Sequence, residues 1–300
     1  MGTPPMVDIA FIGLGAMGSG MAANLAKAGY RVRAFDLVPA SIEAAVTAGC
    51  VAAPSVNQAV SGADFVLTML PTGAHVLDVY QQGEGVLAHA RPDAALIDCS
   101  TISVEDARAI GEAARADGFF MCDAPVSGGV AAAAAGTLTF MVGGSAAEFE
   151  KAKPVLQAMG KAVIHAGQSG AGQAAKICNN MLLAISMIGT CEAFVLAEKL
   201  GLDAKAFYDI ASQSSGQSWS MTSYAPVPGL VPSAPSNRDF NNGFAGALML
   251  KDLRLALEAT HHVGMTAALA LKSEEIYSEY ILKYSPSRDF SGVIDMLRNQ

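Results

Sequence analysis

The sequence predicts an α/β fold, a doubly wound and mainly parallel sheet, followed by an all-helical C-terminal domain. Three observations carry that expectation. In the first half, short apolar runs read as strands: "VDIAFIG", "RVRAFD", "DFVLTML", "AALIDCS", "FFMCDAP", "TLTFMVGG" and "AVIHAG". Between most of them lie Ala-rich stretches of helical length, such as "AMGSGMAANLAKAG" and "SVEDARAIGEAARADG". Near-continuous apolar strands alternating with helices imply a parallel sheet covered on both faces. After about residue 166 the strand signals stop and only helical patterns continue. A chain of 300 residues allows one or two domains. The expected division is a sheet domain over 1–166 and a helical domain over 167–300.

The first strand runs directly into Gly13-Leu14-Gly15-Ala16-Met17-Gly18, a G-x-G-x-x-G turn that opens the first helix. The first glycine permits the tight turn and the second lets the backbone approach a pyrophosphate. The third allows helix and strand to pack closely, with the helix N-terminus facing the negative charge. Glycine-rich loops of this spacing also arise by chance. Here the preceding strand, the following helix and Asp36 at the end of the next strand supply the context of a Rossmann-type dinucleotide site. A carboxylate at Asp36 accepts hydrogen bonds from ribose hydroxyls and repels a 2′-phosphate, so NAD is expected over NADP. The plain alternative is that Asp36 only caps the helix behind it.

In the second half, the longest helical pattern spans about 170–200, at the expected boundary between the domains, where a cleft commonly takes a ligand. Within it Lys176, Asn179 and Asn180 share one face, because residues three and four apart are neighbours on a helix. They converge on one point, or else the lysine snorkels to water and the asparagines satisfy a helix crossing. Further helical patterns are "DAKAFYDIASQS", "GALMLKDLRLALEATHHVG" and "AALALKSEEIYSEYILKYS". Between Ser218 and Asn242 lies a Pro-, Ser- and Asn-rich stretch that reads as a long loop without structure, either functional or disordered. It holds Trp219, the only tryptophan, as a candidate for packing on substrate or in the core.

Composition narrows the function classes. A net charge of -8 with no Lys/Arg cluster argues against nucleic acid as a partner. Five scattered cysteines without metal-ligand spacing fit a reducing cytoplasm, and no histidine pairs with them as a zinc set. The start "MGTPPMVDIAFIG" lacks the pattern of a secretory signal, and Pro4 and Pro5 disfavour a lipid anchor. The uncharged run from Ile177 to Cys191 is shorter than a membrane span. A cytoplasmic protein without membrane partner is therefore expected, and its apolar, Ala-rich helical half suggests a subunit interface.

Four segments together carry a resemblance: "FIGLGAMGSGMAANLAKAG", "DAPVSGGVAAAAAGTLTFMVGG", G-x-x-x-K-x-x-N-N at 172–180, and "MLKDLRLALEA" at 249–259. In that order, over essentially the whole chain, they resemble the β-hydroxyacid dehydrogenase family, and within it most the 3-hydroxyisobutyrate dehydrogenases. The resemblance implies NAD-linked oxidation of a short 3-hydroxy acid to its semialdehyde, as in valine catabolism, by a homodimer or homotetramer. It matches Lys176 to the catalytic lysine and Asn180 to the asparagine that helps hold substrate. Ser127, Gly128 and Gly129 match the loop that receives the substrate carboxylate. Leu70 and Pro71 match the turn against the cofactor, with His75 close by, and Thr101 a hydroxyl residue near the nicotinamide ribose. Lys251 matches a lysine at the nicotinamide end, with Asp252 beside it on the substrate side, and Trp219 falls in the region lining the substrate pocket.

The chemistry agrees with those assignments. Oxidising an alcohol requires a base for the hydroxyl proton while hydride leaves the same carbon. A lysine, with an ordinary pKa of about 10.4, serves once burial or a neighbouring cation disfavours its charged form. Consecutive glycines let successive N–H groups turn toward an anion. Two alternatives stay open: an NAD(P)H-dependent semialdehyde reductase of the same family, and a dinucleotide-binding sensor without turnover.

Overall fold

The computed structural model describes residues 6–83 and 85–299. The Met-Gly start with Pro4 and Pro5 lies outside the described residues. Two compact units divide the chain, the first ending at Lys176 and the second beginning at Ile177.

The first unit is built on a sheet of nine strands among the described residues: β1 (Asp8–Ile12), β2 (Arg31–Phe35), β3 (Val51–Ala52), β4 (Phe65–Thr68), β5 (Ala95–Asp98), β6 (Phe120–Asp123), β7 (Val126–Ser127), β8 (Leu138–Gly143) and β9 (Gly160–Gly167). Their order is β3-β2-β1-β4-β5-β6-β8-β7, with β9 paired to β8. The run from β3 to β6 is parallel throughout, and β8 enters antiparallel to both β6 and β7. The strand order reverses direction between β1 and β4, the place where α/β sheets of this kind take ligands beyond their carboxyl ends.

Alternation explains why this sheet is buried on both faces. Ile9 and Phe11 of β1 join one core with Val32, Leu67, Ile97, Met21 and Leu25. Their neighbours Ala10 and Ile12 join the opposite core with Val66, Leu96, Val76 and Ile110. Successive side chains point to opposite faces, so an uninterrupted apolar run is what a sheet with two covered faces requires. The helices start where caps allow. Ser103 accepts from the Asp106 N–H at the head of Val104–Ala116, and Ser145 and Glu148 form a capping box for Ala146–Gln157. The seven strands read from the sequence are all present. The two additional ones, β3 and β7, have two residues each, too few for any periodicity to register.

The second unit is helical, and its described residues pair as β-structure only at the isolated bridge between Ala245 and Asp289. The Ala171–Lys199 helix enters it, followed by Ala204–Ala211, Gly246–His262, Ala268–Lys283 and Val293–Arg298. Their inner faces meet in a core of Met187, Phe194, Met249, Leu253, Tyr277, Tyr280 and Phe290. The Ala171–Lys199 helix is long and apolar enough to cross a membrane by length and composition, yet half of its most apolar window is buried inside the protein, as in a core helix. The uncharged run alone understated its length.

The stretch from Ser218 to Asn242 is ordered, contrary to the expectation of a loop without structure. It forms a short helix at Trp219–Thr222 and a 3-10 turn at Pro235–Arg238. Asn237 holds it from within, accepting from the Gly229 N–H and donating to the Val231 carbonyl, while Ser236 donates to the Ala225 carbonyl. These side-chain bonds replace a regular ladder, so no pattern of apolar residues announces them. Four of the five cysteines are buried, and Cys178 is exposed.

Candidate active site

The glycine turn after β1 has the shape its sequence demands. Gly13 has a φ of +96°, a left-handed conformation that side chains avoid. A Cβ on Gly18 would collide with the Gly13 carbonyl, whereas Gly15 faces open space. That combination, a tight turn with a free approach at its middle glycine, suits a pyrophosphate above the start of the Gly18–Lys27 helix. Asp36, just beyond β2, accepts from the Leu14 N–H at 2.6 Å through one carboxylate oxygen and from the Val38 N–H at 2.8 Å through the other. Val38 is the N-cap of the next helix. Asp36 therefore both fixes the glycine loop and closes the turn after β2. Each oxygen keeps a second lone pair for a ribose hydroxyl. The residues present fit NAD.

The neighbouring strand ends assemble around this turn. A Cβ on Gly13 would lie 3.0 Å from the Leu70 side chain, so the turn after β4 rests on the glycine loop. The Leu70 N–H donates to Ser100 Oγ at 2.8 Å, and Ser100 Oγ in turn donates to Asp98 Oδ1 at 2.6 Å. Pro71 and His75 are exposed, and His75 Nδ1 pairs with Thr72 Oγ1 at the N-cap of the Gly73–Gln81 helix. Ser127 closes β7, and Gly128 and Gly129 follow with φ of +134° and +71°. The "AAAAAG" segment after them is the Gly129–Ala135 helix, held to the first helix by Asn24, which donates to the Gly20 and Ala133 carbonyls. The serine–glycine turn and the dinucleotide turn thus belong to one framework within the first unit.

Lys176 is buried, with 7 % of its surface exposed, in the second turn of the Ala171–Lys199 helix. The first turn is clamped. Asp123, the last residue of β6, accepts from the Gly170 N–H at 2.7 Å and from the Gln173 N–H at 2.9 Å. A Cβ on Gly172 would lie 2.7 Å from the Asp123 carbonyl oxygen, so the helix end can come this close only as glycine. Gln173 has none of its surface exposed. Its Nε2 donates to the Ser100 carbonyl at 2.7 Å, and its Oε1 accepts from the Ile102 N–H at 3.2 Å, so its amide brackets Thr101. Burial raises the Asp123 carboxyl above the ordinary range, against the lowering effect of the N–H groups of Gly170 and Gln173.

Within the second unit Asn180 and Asp252, both buried, are joined by a hydrogen bond from Asn180 Nδ2 to Asp252 Oδ2. Asn179 Nδ2 donates to Asn180 Oδ1 at 3.0 Å, which fixes the amide from its other end. Lys251 Nζ lies 3.9 Å from Asp252 Oδ1. Asp252 thus brings Asn180, expected on a separate helix, together with its chain neighbour Lys251. Trp219 is 52 % exposed and stacks on Tyr224 at 4.9 Å. Tyr224 is anchored through its hydroxyl to the buried Asp289.

The comparisons with known proteins agree with this architecture. Residues 8–167 match the family described as the NAD binding domain of 6-phosphogluconate dehydrogenase. Residues 170–297 match the one described as NAD-binding of NADP-dependent 3-hydroxyisobutyrate dehydrogenase. The chain is 49 % identical to the 3-hydroxyisobutyrate dehydrogenase of Pseudomonas aeruginosa, covering 98 % of this chain and all of that one. The chain belongs to the β-hydroxyacid dehydrogenase family. Another relative in Pseudomonas aeruginosa, also 49 % identical over 96 % of this chain and 97 % of that one, is named NAD-dependent L-serine dehydrogenase. A solved structure of Mycobacterium tuberculosis 3-hydroxyisobutyrate dehydrogenase with L-serine superposes with a TM-score of 0.93 at 49 % identity, covering 98 % of this chain and all of that one.

As a β-hydroxyacid dehydrogenase the chain is an NAD-binding oxidoreductase that acts on a CH–OH group. Among the described residues no three His, Cys, Asp or Glu side chains group as a metal site. Sequence reasoning missed Asp98, Asp123 and Gln173 in this dehydrogenase. One signal was available for the first two: each closes an apolar run, and the sheet register sets Thr68, Asp98 and Asp123 side by side.

Proposed function

We propose that the protein oxidises 3-hydroxyisobutyrate, or a short 3-hydroxy acid close to it, to the semialdehyde. The observation that carries this reading is a buried Lys176 one helical turn before Asn180, whose amide is fixed by Asp252. Lys176, as a neutral amine, takes the hydroxyl proton as the carbinol C–H bond breaks and the C=O bond forms, and becomes an ammonium. Bound NAD+ supplies the hydride acceptor. Asn180 donates to the substrate oxygen through its second amide hydrogen, and the N–H groups of Ser127, Gly128 and Gly129 receive the carboxylate. Asp36 takes the adenosine ribose hydroxyls and disfavours a 2′-phosphate. Leu70, Pro71, His75, Thr101 and Lys251 border the cofactor, and Trp219 and Asp252 the substrate. The L-serine named for two relatives makes serine the first competitor substrate.

The test is NADH formation, followed by absorbance, on 3-hydroxyisobutyrate, 3-hydroxypropionate, L-serine and glycerate. Lys176→Ala is expected to lower kcat by about two to four powers of ten while NADH binding stays unchanged. Lys176→Arg does not rescue it, because a guanidinium cannot act as a base near neutral pH. Near-normal turnover in a folded Lys176→Ala protein removes the lysine from the chemistry. Tight NADH binding without turnover of any acid by the native protein returns the sensor reading.

The same reading takes the protein as a cytoplasmic homodimer or homotetramer. Its support is the set of free cysteines and the exposed Leu182, Leu196, Leu200, Leu269, Leu271 and Leu282 of the helical unit. Light scattering on the purified protein decides the assembly.

A further inference from the structure

We infer that Gln173 is a positioning residue, which sets Lys176 against the turn bearing Thr101 by holding the two peptide groups on either side of that threonine. The inference rests on the reading of Lys176 as the base. Gln173 and Lys176 are three residues apart on one helix and so lie on the same face. Fully buried, the Gln173 amide gives one hydrogen bond to the Ser100 carbonyl and receives one from the Ile102 N–H. Only a neutral side chain with one donor end and one acceptor end satisfies both groups together. The Gln173 N–H is held at the same time by Asp123. Side chain and backbone of one residue thereby fix the helix both in rotation and along its axis.

The held turn connects onward. The Ser100 side chain receives the Leu70 N–H and donates to Asp98, which also accepts from Thr68 Oγ1 at 2.7 Å. The turns after β4 and β5 and the start of the Lys176 helix therefore form a single hydrogen-bonded body. Misplacing a reacting group by about 1 Å costs on the order of a hundredfold in rate, and Gln173 removes that freedom.

Two substitutions test it, measured beside Lys176→Ala. Gln173→Leu keeps the bulk and loses both bonds. It is expected to lower kcat about a hundredfold, with KM and NADH binding changed far less. Gln173→Glu accepts but cannot donate while ionised; protonated, it regains the donor–acceptor pair of the amide, and burial favours the protonated form. The ratio of its kcat to that of the native protein is therefore expected to rise at least about tenfold as the assay moves from about pH 9 to 6, while the ratio for Gln173→Leu stays flat. If Gln173→Leu fails to fold, the Gln173→Glu ratio alone decides. A lowered melting temperature with native kcat, or a flat Gln173→Glu ratio, overturns the proposal while an inactive Lys176→Ala leaves the base assignment standing. An active Lys176→Ala removes that assignment, and this proposal with it.

Discussion

Asp98 closes β5 with unequal oxygens. Oδ1 accepts from Thr68 Oγ1, the Ser100 N–H and Ser100 Oγ, while the buried Oδ2 makes no hydrogen bond among the described residues. Burial dominates and pushes the carboxyl up from 3.8 to about 6. The folded state therefore holds this proton over a range where the unfolded chain has released it. Stability from that proton is present below about pH 4, falls as pH rises to about 6, and is constant above, a change on the order of 3 kcal/mol. Asp98→Asn, which has no such proton, is expected to lose less stability across the same window. Denaturant titrations of both proteins at successive pH values measure the difference; parallel curves would return Asp98 to an ordinary carboxylate. Asp36 is the second residue with a measurable consequence. Native kcat/KM is expected to favour NAD over NADP at least about tenfold, and Asp36→Ala to shrink that preference, at some cost to the loop it ties through Leu14 and Val38. Equal use of both cofactors by the native protein refutes the carboxylate argument. Asp36 was legible because its spacing from the glycine turn has a known meaning. Gln173 was not, because its role lies in which peptides it reaches some seventy residues away.

At the scale of elements, the first turn of the Ala171–Lys199 helix is a close-packed junction of the first unit. Gly172 faces the carbonyl oxygens of Met141 and Asp123 with no room for a methyl group. Gly172→Ala must move the helix end or strain it, which costs about 1–3 kcal/mol. It is expected to lower the denaturation midpoint and kcat together, because Lys176 lies on the next turn of the displaced helix. A Gly172→Ala protein of native stability and rate would show the junction to be slack. The sequence displayed the strands of four or more residues because an apolar run of that length is itself the signal. It could not display β3 or β7, nor the fold of 218–242, whose order comes from Asn237 and Ser236 bonding to backbone groups within the segment and from Tyr224 donating to the distant Asp289. Tertiary hydrogen bonds leave no periodic trace in the chain that makes them.

Over the whole molecule, burial separates one thiol from the rest. It pushes Cys50 up to about 11 and Cys122 up to about 12, and raises Cys99 and Cys191 well above the ordinary thiol range. Cys178 alone stands exposed, two residues beyond Lys176 on the same helix. Thiol reagents attack the thiolate and need access, so the folded protein is expected to consume one equivalent quickly and the denatured protein all five. Two residues turn a helix by about 200°, which points Cys178 away from the Lys176 face. A fluorophore or spin label attached there would sit on the side of the helix opposite Lys176, a single-site reporter installed without engineering, reading the motion of that helix while leaving the Lys176 face untouched.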